Sequence, residues 1–69
     1  MSRGESYWAG PMEDGRWSVR RPESRQPSSV HASRDEAWKE ARRLARGGGG
    51  QAVLLGVDGR IRTRNDYDD

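Results

Sequence analysis

The sequence predicts a small α+β domain in which one α-helix packs on an antiparallel β-sheet, in the order ββ(β)αββ. Three observations support this fold class: a hairpin signal early in the chain, a capped amphipathic helix in the middle, and a second hairpin signal near the end. The chain has 69 residues, which suffices for one domain. We expect residues 1–6 to be a disordered N-terminal tail, because they offer nothing to bury, and residues 7–69 to form the domain.

The composition is that of a weakly hydrophobic protein that can still fold. Charged residues make up 35% and hydrophobic residues 30% of the chain, a balance that raises the question of disorder. A net charge of +2 limits self-repulsion, and three Trp and two Tyr add buried area. There is no Cys, and no apolar stretch has the length of a membrane span or a signal peptide. We therefore expect a soluble, cytoplasmic protein without a membrane partner.

A first β-hairpin is predicted between residues 7–12 and 17–20. Both runs are rich in aromatic residues, and Asp14 and Gly15 lie between them. Gly supplies the positive φ that a tight turn needs, so this dipeptide favours a hairpin. A loop rich in Pro and Ser follows, and residues 30–32 have the composition of a brief third strand before the helix.

The helix is predicted from Arg34 to Arg46. Ser33 and Glu36 form a capping box, in which each side chain bonds the backbone amide of the other residue. Gly47 is expected to end the helix in the left-handed conformation. Apolar side chains recur at helical spacing and predict one buried stripe. That stripe consists of Ala37, Trp38, Ala41, Leu44 and Ala45.

The second hairpin is predicted over residues 51–64, with its turn at Asp58 and Gly59. Its register depends on the length of the loop. A two-residue loop would place the apolar residues of the first strand on the same face as three arginines. A three-residue loop with Gly59 in a bulge unites the apolar residues on one face, so we prefer this register.

The preferred register determines which side chains face the helix. It pairs Leu55 with Ile61 and Val53 with Thr63. Val53, Leu55 and Ile61 are then expected to pack against the helix, and one face of the sheet remains for solvent or a partner. The residues expected to face away from the helix are Leu54, Arg60, Arg62 and Arg64.

Four short motifs occur in an order and spacing that resemble a known family. They are Trp17-Ser18-Val19, the pattern Asp-Glu-Ala-x-x-x-Ala-Arg-x-x-Ala from Asp35 to Ala45, Asp58-Gly59-Arg60-Ile61, and Asn65-Asp66-Tyr67. Together they resemble the small uncharacterised bacterial family DUF2188. The chain departs from that family in Gly47–Gly50 and in Ser33, where Thr is more usual. The resemblance implies a compact α+β domain, and it brings no established activity or functional residue.

The sequence gives little support for catalysis. It has one His and no Cys, and no spacing brings Ser, His and carboxylates together, so we expect no enzymatic activity. His31 is best explained as an exposed or hydrogen-bonded side chain, and Asp66, Asp68 and Asp69 as a solvated chain end rather than a cation site. We expect no cofactor and no metal. Gly47–Gly50 follows a helix instead of leading into one, so it is expected to be a flexible connector rather than a phosphate loop.

Alternating arginines in the last strand predict binding to nucleic acid, either DNA or RNA. Side chains two residues apart project from the same face about 7 Å apart and would meet successive phosphates. Trp8 or Tyr67 on that face would stack on bases of a single strand. Alternating charge also discourages aggregation, which is the structural explanation of the same pattern. The predicted nucleic-acid-binding residues are Arg20, Arg60, Arg62 and Arg64.

A protein-interaction module or homodimer is the alternative hypothesis. An open sheet face that carries Leu54 and Trp8 would offer apolar area to a second copy or to another protein. Trp and Arg are also enriched at the centres of protein interfaces. The sequence leaves both hypotheses open, and both place the function on the sheet face opposite the helix.

Overall fold

The computed structural model describes residues 5–67 as one helix and five strands. These elements are β1 (Ser6–Pro11), β2 (Trp17–Arg20), β3 (Ser29–His31), α1 (Arg34–Gly48), β4 (Gln51–Leu55) and β5 (Ile61–Asp66). The α+β class and the order ββ(β)αββ are confirmed, including the brief third strand. β1 begins at Ser6, so the last two residues of the predicted tail belong to the described chain, whereas residues 1–4 lie outside the described residues.

The strands of the described region form one mixed sheet in the order β3-β2-β1-β4-β5. Three of the junctions are antiparallel, but β1 and β4 pair parallel, so the expectation of a fully antiparallel sheet is wrong at this junction. The helix explains the difference. β3 runs in the same direction as β1, because two antiparallel steps separate them. α1 then carries the chain back across the sheet, so that β4 starts at the same end as β3.

The core lies between α1 and one face of the sheet. Its buried residues are Ala9, Val19, Ala37, Ala41, Ala45 and Ala52. Larger side chains pack around this alanine-rich centre and are partly buried: Tyr7, Trp17, Trp38, Leu44, Leu54 and Tyr67. The apolar stripe predicted for the helix is therefore confirmed. Because the chain has no Phe, these aromatic side chains supply much of the buried apolar area.

The helix starts where the sequence predicts and ends two residues later. The Glu36 backbone amide donates to the Ser33 side-chain oxygen at 3.2 Å, which confirms Ser33 as the N-cap. The helical residues extend to Gly48 instead of Arg46. No helix within residues 5–67 is both long and apolar enough to cross a membrane.

The glycine run after the helix forms an ordered cap. Gly49, with φ of 69°, takes the left-handed position that was predicted for Gly47. Its amide donates to the Arg46 carbonyl at 3.4 Å, and the Gly50 amide donates to the Ala45 carbonyl at 2.8 Å, which together make a Schellman motif. The expectation of a flexible connector is therefore wrong, because the run satisfies the last carbonyls of the helix.

The last hairpin has the predicted three-residue loop, and it pairs Leu55 with Ile61 as expected. A β-bulge between Leu54 and Leu55 then shifts the register by one residue. As a result Leu54, rather than Val53, lies opposite Thr63, so the predicted Val53–Thr63 pair is wrong. Such an extra residue cannot be seen in the alternation of a single strand, because it depends on how the two strands pair.

The parallel junction with β1 decides which residues of β4 face the helix. Ala52 and Leu54 contribute to the core, and the parallel register with β1 places Leu54 beside a core alanine. Val53, Leu55 and Ile61 were expected against the helix, and they lie on the opposite face instead. Alternate residues of β4 share a face as predicted, but the set that faces the helix is the other one. Alternation along one strand defines two sets of side chains and does not say which set faces the core.

Candidate nucleic-acid interface

Four side chains form a row across the sheet face that α1 leaves uncovered, which we call the open face. Register places Arg20 of β2 opposite Trp8 of β1, Trp8 beside Val53 of β4, and Val53 opposite Arg64 of β5. Neighbouring strands lie about 4.8 Å apart, so about 14 Å separates the α-carbons of the two arginines. We call this set the Arg–Trp row, in which two cations flank an apolar centre.

The centre of the Arg–Trp row is well packed. Val53 is 1% exposed although it lies on the open face. Trp8 is half-buried, and its Nε1 atom is buried without a hydrogen-bond partner in the described part of the chain. Packing therefore positions the indole ring, and β1 holds it in the middle strand of the sheet.

The two arginines of the row are exposed. Within residues 5–67 neither Arg20 nor Arg64 forms an ion pair. The nearest carboxylate along β5 on this face, Asp66, accepts a hydrogen bond from Gln51 Nε2 at 2.9 Å. The open face thus presents two guanidinium groups that have no ion-pair partner among the described residues and suit phosphates or carboxylates of a partner.

The other two predicted arginines do not join this row. Arg60 lies in the turn, where its Nε is 3.9 Å from the carboxylate of Asp58. Arg62 occupies the bulge, and the stem of its side chain lies beside the α-carbon of Gly56. The prediction that Arg60, Arg62 and Arg64 project from one face is therefore wrong, because the bulge interrupts the alternation.

Two further residues expected on the open face belong to the other side of the sheet. Leu54 and Tyr67 both pack against the core. Leu54 was predicted to face outward as an interaction residue, and Tyr67 was one of two candidate stacking aromatics. Trp8, the other candidate, does lie on the open face. The structure thus brings together Arg20, Trp8 and Arg64 from the predicted site.

A groove runs from the Arg–Trp row toward the two hairpin turns. Its lining includes Trp8, Gly10, Ser18, Arg20 and Leu55 on the sheet itself. Gly10 contributes no side chain to the floor, and the Leu55 side chain lies against it, since a Cβ on Gly10 would be 3.1 Å from the Leu55 Cδ1 atom. Sequence reasoning missed the groove, because residues far apart in the chain form it and the glycine resembles an ordinary strand residue.

Three carboxylates of the two hairpin turns also line the groove, and two of them already have partners. The Arg16 side chain donates to Asp14 at 2.9 Å, and this hydrogen bond lowers the pKa of that carboxyl. Asp58 accepts a hydrogen bond from the Arg60 backbone amide at 3.1 Å. Glu13 forms no hydrogen bond or ion pair with the rest of the described chain, which leaves its carboxylate available as an acceptor.

His31 lies away from this site, on the side of β3 that faces the helix. It pairs across the sheet with Trp17, and its Nε2 is 2.8 Å from the Ser29 hydroxyl oxygen. The expectation of a hydrogen-bonded side chain is confirmed. Within residues 5–67 no three His, Asp or Glu side chains form a group that could hold a metal ion, and Asp68 and Asp69 lie outside the described residues.

Comparison with known proteins gives a family and no activity. Neither the curated proteins nor the solved structures include a significant match. A family model described as "Uncharacterized protein conserved in bacteria (DUF2188)" matches residues 7–67, nearly the whole chain and all the elements of the sheet and helix but the first residue of β1. The four motifs, their spacing and this match agree, and the protein belongs to the DUF2188 family.

Proposed function

We propose that the protein is a non-enzymatic module that binds single-stranded nucleic acid on its open face. Trp8 stacks on one base, and Arg20 and Arg64 contact phosphates on either side of it. The observation that carries the proposal is the Arg–Trp row, in which register aligns one half-buried indole between two guanidinium groups that form no ion pair within residues 5–67. Such a ligand is found in the cytoplasm, where we propose that the protein acts.

The shape of the open face favours a single strand over a duplex. A single strand exposes the faces of its bases, and an aromatic side chain on a sheet can stack on them. A duplex hides those faces and is usually read by an element that enters a groove, whereas the Arg–Trp row lies on a sheet surface. DNA and RNA both offer the required phosphates and bases, so the proposal covers either one.

Self-association is the second candidate, and a neighbouring row of the open face favours it. Val30 and Ile61 are large apolar residues that are 38% and 57% exposed, and Leu55 lies between them across the sheet. Two copies packed face to face would bury this area. They would also bring Arg20 and Arg64 of both copies together, and this repulsion favours an anionic partner over a second copy.

The test compares two double variants that remove the same charge from opposite sides of the protein. Arg20→Gln/Arg64→Gln removes the cations of the Arg–Trp row. Arg34→Gln/Lys39→Gln removes two exposed cations of α1, which packs on the other face of the sheet. Fluorescence anisotropy with labelled single-stranded and duplex DNA or RNA, over a range of salt concentrations, measures the affinity and its salt dependence.

The open-face variant is expected to bind single strands much more weakly and with a flatter salt dependence. Each lost phosphate contact lowers the slope of log affinity against log salt by about 0.7, so the pair lowers it by about 1.4. The helix variant should keep most of the affinity. Equal losses in the two variants, or no saturable binding by the unmodified protein at low salt, would reject the proposal. Light scattering on the same samples measures self-association.

A further inference from the structure

We infer that the groove beside the Arg–Trp row takes a second base of the bound strand and prefers a base with an exocyclic amine. This inference rests on the proposed function, because the strand must first lie on the open face. The groove begins at Trp8 and Arg20, so it continues directly from the proposed stacking site. The base next to the one on Trp8 is therefore the one that would enter the groove.

The walls of the groove suit a flat, partly apolar group. Gly10 contributes no side chain to the floor, Leu55 forms one apolar wall, and Ser18, which is 7% exposed, lies beneath. Pro22 and Pro27 lie at the rim, on the loop that follows β2. An unstacked base would bury apolar area between such walls, and its phosphate would stay at the Arg20 end. The groove thus offers apolar side chains to the base and a cation to the phosphate.

The acidic end of the groove decides which base fits best. Asp14 and Asp58 already accept hydrogen bonds from neighbouring groups, whereas the Glu13 carboxylate accepts none from the part of the chain that the structure describes. Cytosine presents an amino donor at its N4 and adenine one at its N6, whereas thymine presents an acceptor at O4. A carboxylate therefore binds the amine of cytosine or adenine and repels the oxygen of thymine. Among pyrimidines, the groove prefers cytosine.

The experiment measures the affinities of labelled oligo-dC and oligo-dT of equal length, at neutral pH and low salt. Both are pyrimidine strands with the same charge, so phosphate contacts contribute equally. We expect oligo-dC to bind roughly tenfold to 150-fold more tightly, the effect of one hydrogen bond to a charged group. Glu13→Gln should reduce this ratio toward one, because an amide can donate to thymine as well as accept from cytosine. Glu23→Gln removes the same charge outside the groove and should leave the ratio unchanged.

A second variant blocks the floor of the groove. Gly10→Val adds a side chain that is suited to a strand. This variant should bind both strands more weakly, and the ratio of the dC affinity to the dT affinity should fall. Thermal unfolding checks that the variant folds. If the unmodified protein binds both strands equally, or if Glu13→Gln and Glu23→Gln have the same ratio, the groove does not select the base. If the unmodified protein binds neither strand at low salt, the proposed function itself is rejected.

Discussion

Gly50 passes so close to Glu5 that a Cβ on the glycine would overlap the carbonyl oxygen of Glu5. The contact joins the start of β4 to the chain just before β1, at the parallel junction in the middle of the sheet. The same carbonyl accepts a hydrogen bond from the Gln51 amide at 3.3 Å, and the Gly50 carbonyl accepts one from Tyr67 at 2.7 Å. The last glycine of the run is therefore needed for the pairing of three strands.

Substitution of Gly50 should destabilise the fold more than substitution of any other glycine in the run. Gly50→Ala forces the backbone apart at the parallel junction and is expected to cost about 1–3 kcal/mol, as overpacking does elsewhere. Gly47→Ala is the control, because a Cβ there meets nothing within 4 Å and the residue is helical. It should stabilise by about 0.5–1 kcal/mol. Chemical unfolding of both variants gives the two free energies, and a neutral Gly50→Ala would contradict the close contact.

The left-handed glycine of the helix cap gives a separate prediction. Gly49 has a φ of 69°, and an L-residue with a Cβ pays about 1–2 kcal/mol in that conformation. Gly49→Ala should therefore lower the unfolding free energy by that amount. Gly48→Ala, two positions from Arg46 within the helix, should not lower it. Equal effects in the two variants would show that the cap is not at Gly49.

Leu54 provides a test of which face of β4 packs against the helix. Because Leu54 packs on the core, Leu54→Ala is expected to cost about 2 kcal/mol or more of unfolding free energy. Ile61 is 57% exposed on the open face, so Ile61→Ala should change stability by about 0.5 kcal/mol or less. Thermal or urea unfolding distinguishes them. The reverse order of the two losses would mean that the opposite set of side chains faces the helix.

Trp8 gives a prediction for the stacking part of the proposed function. Trp8→Leu should weaken binding to single strands roughly fivefold to 150-fold, the range for one lost base–aromatic contact, without changing the salt dependence. Trp8→Phe keeps an aromatic ring and should retain most of the affinity. Anisotropy titrations at several salt concentrations measure both quantities. Full affinity in Trp8→Leu would remove stacking from the binding mode.

The Glu40–Arg43 pair on the outer side of α1 gives a prediction about pH. Arg43 donates two hydrogen bonds to Glu40, at 2.9 and 2.6 Å, and they lower the pKa of Glu40 below its ordinary value of 4.5. Because that pKa is lower in the folded chain than in the unfolded one, the pair stabilises the fold above pH 4.5. This contribution is lost as the pH falls through the folded pKa.

Arg43→Gln should raise the pKa of Glu40 back toward 4.5. It should also leave the unfolding free energy at low pH unchanged, because Glu40 is then protonated in both the folded and the unfolded chain. NMR titration of the Glu40 carboxyl carbon measures the shift. Lys39→Gln removes a neighbouring charge that makes no ion pair with Glu40 within the described residues, so it should have a smaller effect. Equal shifts in both variants would indicate a general charge effect.

Much of the secondary structure was predictable because its signals are local. Ser33 caps the helix, and Gly15 and Gly59 take positive φ values of 93° and 83° in the two turns. The end of the helix was harder to place, because four consecutive glycines offer the same backbone freedom. The hydrogen bonds of the Schellman motif identify Gly49 as the left-handed residue.

The site was predicted less completely, because it depends on the pairing of strands. Trp8, Arg20 and Arg64 lie on the open face as expected, whereas Arg62 occupies a bulge and Leu54 packs inward. Alternation along a strand predicts two sets of side chains but does not say which set faces the helix. An extra residue in one strand then exchanges the two sets for the remainder of that strand.

Short-range chemistry in the sequence was enough for the fold class, the order of elements, the N-cap and the two turns, since each depends on residues close together in the chain. The parallel junction, the phase of β4 and the Arg–Trp row depend on residues that are separated in the chain, such as Trp8 and Val53. They are determined by the crossover through α1, which places β4 beside β1. The register across strands, which no single segment contains, then aligned two arginines with one tryptophan.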